Sequence, residues 1–232
     1  MIKALMLKYE TTTDSGINNP MRGKEPLEII LNAAETYNPD ILLAPEFFFY
    51  NGGKPYSRKE KKEIEKEIAG TAGKEGRLII PGTIIWEGFW GIYNTAPIID
   101  GTNISEYHKA TDGGTSQIAI RDRLRIKYGK ESGRLFKWRN LDLGIEICSD
   151  HAEGSIRKLR RKADIHIIAG CGMRVHDNKA IARERGYLLL CDGAYHEREL
   201  TSNKAMKNEN GILQSIKPSL KTTTEELYEL EL

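Results

Sequence analysis

The chain has 232 residues and a formal net charge of +2. That length suits one α/β domain with a substantial core, and the near balance of charge gives no field that would draw it to nucleic acid or to a membrane surface. Its 3 cysteines, an odd number without Cys-x-x-Cys spacing, argue against a disulfide framework and fit a reducing cytosol.

In chain order, an apolar strand pattern runs over 2–8 with no long apolar stretch at its start, so neither a signal peptide nor a membrane span is expected. Pro26 suits the first turn of a helix over 25–37. Strand-like runs follow near 40–46, 77–86, 92–99, 104–109, 142–148, 164–170, 187–192 and 212–216. Ser57 and Glu60 form a capping box that opens a charged helix reaching about residue 74. Ser155 to Lys162 and Asp177 to Arg185 read as short helices, and Thr222 with Glu225 as the cap of a final acidic helix. Strand following strand over 77–109 implies antiparallel pairing. Periodicity therefore specifies a mixed α/β chain with no repeat, linker or low-complexity tract.

Three of these runs end in a chemically capable side chain. Asp142-Leu-Gly-Ile-Glu-Ile-Cys148 brings a thiol to a strand end, Ile41-Leu-Leu-Ala-Pro-Glu46 a carboxylate, and Ile104-Ser-Glu-Tyr-His-Lys109 an ammonium. In open α/β sheets the carboxyl edge of the strands is where ligands and chemistry sit. A thiol, a base and a cation so delivered are the parts of a cysteine-nucleophile hydrolase. Taken singly, each has a plainer reading: Cys148 as core filling, Glu46 and Lys109 as surface charges.

The ordered set resembles the nitrilase superfamily, the carbon–nitrogen hydrolases with a Glu-Lys-Cys triad. Ala44-Pro-Glu46-Phe is similar to the family's Pro-Glu strand end. Tyr93-Asn-Thr-Ala-Pro-Ile-Ile-Asp-Gly101 with Tyr107-His-Lys109 is similar to its lysine segment, and Gly144-Ile-Glu-Ile-Cys148-Ser-Asp150 to its nucleophile segment. Ala163 to Ala169 resembles the strand after the nucleophile, Ala182 to Leu190 the later helix-strand pair and Gly211 to Pro218 the last hairpin, so the likeness spans nearly the whole chain. It implies a four-layer αββα sandwich in a single carbon–nitrogen hydrolase domain over 1–232, paired into a dimer, cytoplasmic, with no cofactor or metal. The implied substrate is a small linear amide or N-carbamoyl compound, with no nucleic-acid or membrane partner. Glu46 is then the general base, Lys109 the oxyanion stabiliser and Cys148 the nucleophile that forms a thioester. The backbone N–H of Ser149 is a second oxyanion donor, and Ser149, His151 and Cys171 border the substrate. Glu131, in Gly129-Lys-Glu-Ser-Gly133, resembles the family's second glutamate; its other reading is one more solvated carboxylate.

The chain departs from the family pattern after Cys148, where Ser149-Asp-His-Ala-Glu153 replaces the usual aromatic, Arg and Pro-Glu residues. The absence of Trp-Glu after the cysteine leans away from nitriles and toward amides. Arg121, Arg123, Arg125 and Lys127 recur at period two and would share one face of an extended segment, either to recruit an acidic substrate or as a solvated edge. Arg157 to Lys162 is a second basic run, read as a solvent face. Rival readings are an acyltransferase using the same thioester, a zinc site from the Cys148/His151 and Cys171/His176 spacings, and a catalytically dead binding protein.

Overall fold

The computed structural model describes residues 1–9, 11, 25–50, 54–112, 126–130, 133–193 and 203–232. Its first sheet contains β1 (Ile2–Leu7), β2 (Ile41–Leu43), β3 (Tyr56–Ser57), β4 (Leu78–Ile80), β5 (Ile84–Gly88), β6 (Gly91–Asp100), β7 (Asn103–His108) and β8 (Ile126–Lys127). The second is formed by β9 (Arg134–Trp138), β10 (Leu141–Ile147), β11 (Ala163–Gly170), β12 (Ala182–Asp192), β13 (Lys204–Glu209) and β14 (Ile212–Ser215). The chain then returns to the first sheet as β15 (Leu220–Lys221) and β16 (Glu225–Leu230). The first sheet runs β15-β16-β1-β2-β4-β6-β5-β3, with β7 and β8 also on β6, and the second β14-β13-β12-β11-β10-β9.

Period-two alternation builds the layers. Ala4 and Met6 of β1, Ile41 and Leu43 of β2, and Leu78 and Ile80 of β4 face Leu143, Ile145, Ile147, Ile165 and Ile167 of the second sheet in one buried core. Their alternates Leu5, Leu7, Leu42 and Ile79 face outward, where Leu27 and Ile30 of α1 (Glu25–Tyr37) and Ile64 and Ile68 of α2 (Arg58–Glu75) cover them. The expected capping box is present: Glu60 N–H donates to Ser57 Oγ (3.2 Å) and Ser57 N–H to Glu60 Oε2 (2.7 Å). Helix α2 ends at Gly76 in the left-handed conformation glycine favours. None of the helices among the described residues is long and apolar enough to cross a membrane.

The outer face of the second sheet is covered thinly, by α3 (Ser149–Ala152) and by 3₁₀ turns at Ile156–Leu159 and Asp177–Lys179. The expected sandwich is thus present with its fourth layer reduced to short turns. The helix expected over 155–162 shrinks to that first turn. The one expected over 177–185 gives way from Ala182 to β12, because the wholly buried β11 takes 182–192 as its parallel partner. A bulge at Ala163/Ile165, with Arg185 at φ 61°, absorbs the register shift. The final acidic helix is also replaced. Glu225 N–H does donate to Thr222 Oγ1 (2.9 Å), but the chain continues as β16 because the edge of β1 takes it in antiparallel pairing. Glu226, Tyr228 and Leu230 then face inward. The run expected over 77–86 is broken at Pro81-Gly82 into β4 and β5.

Candidate active site

Glu46 lies just beyond β2. Its N–H donates to Gly170 O at the end of β11 (3.1 Å), so the turn that carries it ties the two sheets together. Phe47, at φ 63°, donates its N–H to Thr83 Oγ1 (2.9 Å). The break at Pro81-Gly82 belongs to this turn. Gly82 has φ +75°, and a Cβ there would stand 2.1 Å from Pro45 O. Gly82→Ala is expected to cost more than about 1 kcal/mol and to lower activity by displacing Glu46. A melt and an activity assay check this, and wild-type values for both would show that the turn does not fix Glu46.

Lys109 follows β7 and is tied by its N–H to Asn94 O (2.9 Å) and by its O to Gly129 N–H (2.7 Å). Cys148 follows β10, its N–H donating to Ala169 O (2.9 Å). Its backbone, at φ 44° and ψ −106°, is one that L side chains rarely adopt. Such a conformation costs about 1–3 kcal/mol and persists only where the surroundings over-determine it. His151 N–H closes the turn onto Cys148 O (2.9 Å), so the thiol sits at a sharp strand-to-helix elbow.

The strand ends bring the three groups together. Lys109 Nζ donates to Glu46 Oε1 at 2.6 Å, with side-chain exposures of 2% and 1%. Asn94 Nδ2 donates to the same oxygen at 2.8 Å. Burial pulls the Lys109 pKa down, but Glu46, with Cys148 and Asp150 nearby, outweighs it and holds the value above the ordinary one. For the Cys148 thiol, burial and then the Glu46 charge push the pKa well up, and the opposing pull of Lys109 does not cancel them. The proton of that thiol therefore needs an acceptor, and the Glu46 charge acts on it.

Asp150, two residues past the thiol, organises the lysine side. It accepts from Tyr107 Oη (2.7 Å), Thr111 N–H (2.8 Å), Thr111 Oγ1 (2.7 Å) and Ala110 N–H (3.2 Å). Burial raises its pKa against those donors. Ser149 Oγ lies 2.8 Å from Thr111 Oγ1. Cys171 is beside Cys148: its O accepts from Cys148 Sγ (3.8 Å) and its Sγ is 3.7 Å from Thr11 Oγ1. His151, expected to face the substrate, is instead completely buried beneath the elbow, with Nδ1 3.0 Å from Glu146 Oε2. Glu131, Arg121, Arg123 and Arg125 lie outside the described residues, and Lys127 is in β8 opposite Tyr93.

Sequence reasoning assigned no role to Asn94, Asp150, Tyr107, Glu146 or His166. Glu146 and His166 carried a signal: each interrupts an apolar strand, and a buried charge needs partners. Glu146 Oε2 is 3.0 Å from both His151 Nδ1 and His166 Nε2, and its Oε1 accepts Ile156 N–H (2.7 Å). Burial opposes its ionisation, yet the two histidines and Ile156 prevail and hold its pKa near about 2. Burial lowers the His151 pKa below the ordinary 6.5. Both folded values lie below the unfolded ones, so both contributions to stability are present at neutral pH and lost on acidification. Melting temperature is expected to fall below pH 6.5, as unfolded His151 takes up a proton, and again from 4.5 toward 2 through Glu146. Melts of wild type and His151→Asn over pH 7 to 5 check this; equal slopes would count against it.

The zinc spacing noted in the sequence does not assemble. Among the described residues the Cys148, His151, Cys171 and His176 ligand atoms form no common group, and the cluster that does form is Glu146, His151 and His166.

No family model matches the chain, and no curated protein does. Solved structures do. A mutant of the amidase from Nesterenkonia sp., described with acrylamide added at its active-site cysteine, matches with a TM-score of 0.69 at 13% identity, covering 100% of this chain and 94% of that one. A CN-hydrolase superfamily protein from Xanthomonas campestris matches at 0.68 and 12% identity, covering 99% and 90%. A branch 10 member of the nitrilase superfamily from Saccharomyces cerevisiae matches at 0.59 and 17%, covering 97% and 88%. The chain has the nitrilase-superfamily fold. At these identities the likeness speaks for the architecture, and the chemistry rests on the residues themselves.

Proposed function

We propose that the chain is a carbon–nitrogen hydrolase of the nitrilase superfamily that cleaves a small linear amide or N-carbamoyl compound through a thioester on Cys148. The observation that carries this reading is the buried 2.6 Å Glu46–Lys109 pair, whose charges act on a thiol held at a strained elbow. Glu46 Oε1 is engaged by Lys109 and Asn94, and Oε2 has lone pairs for the thiol proton. As sulfur attacks the carbonyl carbon, Glu46 takes that proton. The oxyanion is stabilised by Lys109 and the Ser149 N–H. The C–N bond breaks, Glu46 returns the proton to the leaving nitrogen, and ammonia or an amine departs. Water, deprotonated by Glu46, attacks the thioester; the acid leaves and the thiol is restored. Burial that holds the proton on the thiol suits this route, because base and nucleophile then act in one step.

The neighbour from Nesterenkonia is described as an amidase with an active-site cysteine, which agrees with this reading. Ser149-Asp150 in place of Trp-Glu after the nucleophile supports amides over nitriles. The test is a kinetic panel of aliphatic amides, N-carbamoyl amines and nitriles, with ammonia release as readout. Amide or carbamoyl turnover faster than nitrile turnover is expected. Faster nitrile hydrolysis would overturn the amide assignment, and acyl transfer to an added amine in preference to water would make the enzyme an acyltransferase.

A further inference from the structure

Beneath the elbow lies a polar cluster for which the triad has no use. Glu146 is on β10 two residues before Cys148, His151 in α3 three residues after it, and His166 on the neighbouring β11. All three are completely buried. Among the described residues the outer backing of this sheet is thin, with Ile156, Ala163 and Ile181 in a small apolar cluster and Leu135 packed against it. Polar links do the holding here. Glu146 accepts from His151, His166 and Ile156 N–H, while His176 N–H donates to His151 Nε2 (3.1 Å) and Ile181 N–H to His166 Nδ1 (3.4 Å). One carboxylate thus joins β10, α3, the 156–159 turn, β11 and the 176–181 segment.

The backbone donors settle the tautomers. His151 Nε2 and His166 Nδ1 each receive an N–H, so the protons sit on His151 Nδ1 and His166 Nε2, both aimed at Glu146. A metal ion at the centre would need those two nitrogens bare and would turn the remaining protons against the backbone N–H groups. The 3.0 Å separations are those of hydrogen bonds.

We propose that Glu146, with His151 and His166, is a positioning clamp that holds the Cys148 elbow in its strained, attack-ready conformation. The proposal rests on the reading of Cys148 as the nucleophile. The elbow is bracketed on both sides. Asp150 ties it to Ala110 and Thr111 beside Lys109, and the clamp ties it to the sheet beneath. Glu146 and His151 bracket the strained residue, two positions before it and three after, so loosening them relaxes the backbone that aims the sulfur.

The test uses p-nitrophenyl acetate, which acylates a nucleophilic thiol with release of nitrophenolate, read as a burst and weighed as acetyl-enzyme. Glu146→Gln sets an amide N–H against an N–H donor whichever way it is turned. The acylation rate at saturation is expected to fall by about 10²-fold, with the half-saturating concentration unchanged and the protein folded by near-ultraviolet circular dichroism. Should that variant not fold, a second pair decides. His151→Asn keeps a donor to Glu146 and His151→Leu has none, so Asn should acylate about tenfold faster than Leu, one hydrogen bond's worth. A folded Glu146→Gln with wild-type acylation, equal rates for the His151 pair, or stoichiometric zinc that His151→Leu loses would overturn the clamp. If Cys148→Ala is still acylated at the wild-type rate, the nucleophile reading fails and the clamp with it. If it is inert while Glu146→Gln acylates normally, the clamp alone fails.

Discussion

Cys148→Ala is expected to cut turnover by on the order of 10⁶-fold, the scale on which removing a catalytic nucleophile acts, while the protein stays folded. The residue is 9% exposed and packs in the core between the sheets. Removing one sulfur from such a place costs about 1 kcal/mol, and alanine meets no worse strain at φ 44° than cysteine does. The two readouts separate chemistry from packing. Loss of turnover with a melting temperature within a few degrees of wild type is the expected pair. Retained turnover in a folded variant would mean that the thiol is core filling and that the chemistry lies elsewhere.

Lys109 should show a double effect. Lys109→Met removes the oxyanion donor, worth about 10²–10³ in rate, and leaves Glu46 buried without its counter-charge, which costs about 3–5 kcal/mol of stability. The two losses come apart in a double variant. Adding Glu46→Gln to Lys109→Met removes the unpaired charge, so the melting temperature should recover toward wild type while turnover stays lost. If the double variant melts no higher than Lys109→Met, the pair is not the electrostatic unit that its 2.6 Å geometry implies.

The parts of this architecture that follow simple periodicities were legible in the sequence. β1, β2, β10 and β11 read as short apolar runs, and Ser57 with Glu60 gave the start of α2 within a residue. Glu46, Lys109 and Cys148 were legible as strand-end positions because each follows such a run. Segments whose state is decided by a distant partner were misread. The stretch 182–185 was read as the end of a helix, yet it joins the strand expected at 187–192 because β11 needs a parallel neighbour. Thr222 makes the bond of a helix cap, and the next residues still join β1. The alternation of Glu226, Tyr228 and Leu230 was the available signal. His151 was misplaced for a related reason. Its position near the nucleophile in sequence says nothing about which side of the elbow it occupies, and the buried carboxylate of Glu146 settles that. Burial, the largest influence on the Cys148 thiol, is likewise absent from a list of sequence neighbours.

The central claim is that Cys148 carries the acyl group between two half-reactions. Mixing the protein with small amides and N-carbamoyl compounds, quenching in acid within the turnover time and weighing the intact chain and its peptides tests it most directly. The account predicts an added acyl mass on the peptide containing Cys148, formed with release of one equivalent of ammonia or amine and absent in Cys148→Ala and in Glu46→Gln. Turnover without any adduct on that peptide, or an adduct on another residue that survives Cys148→Ala, would contradict it.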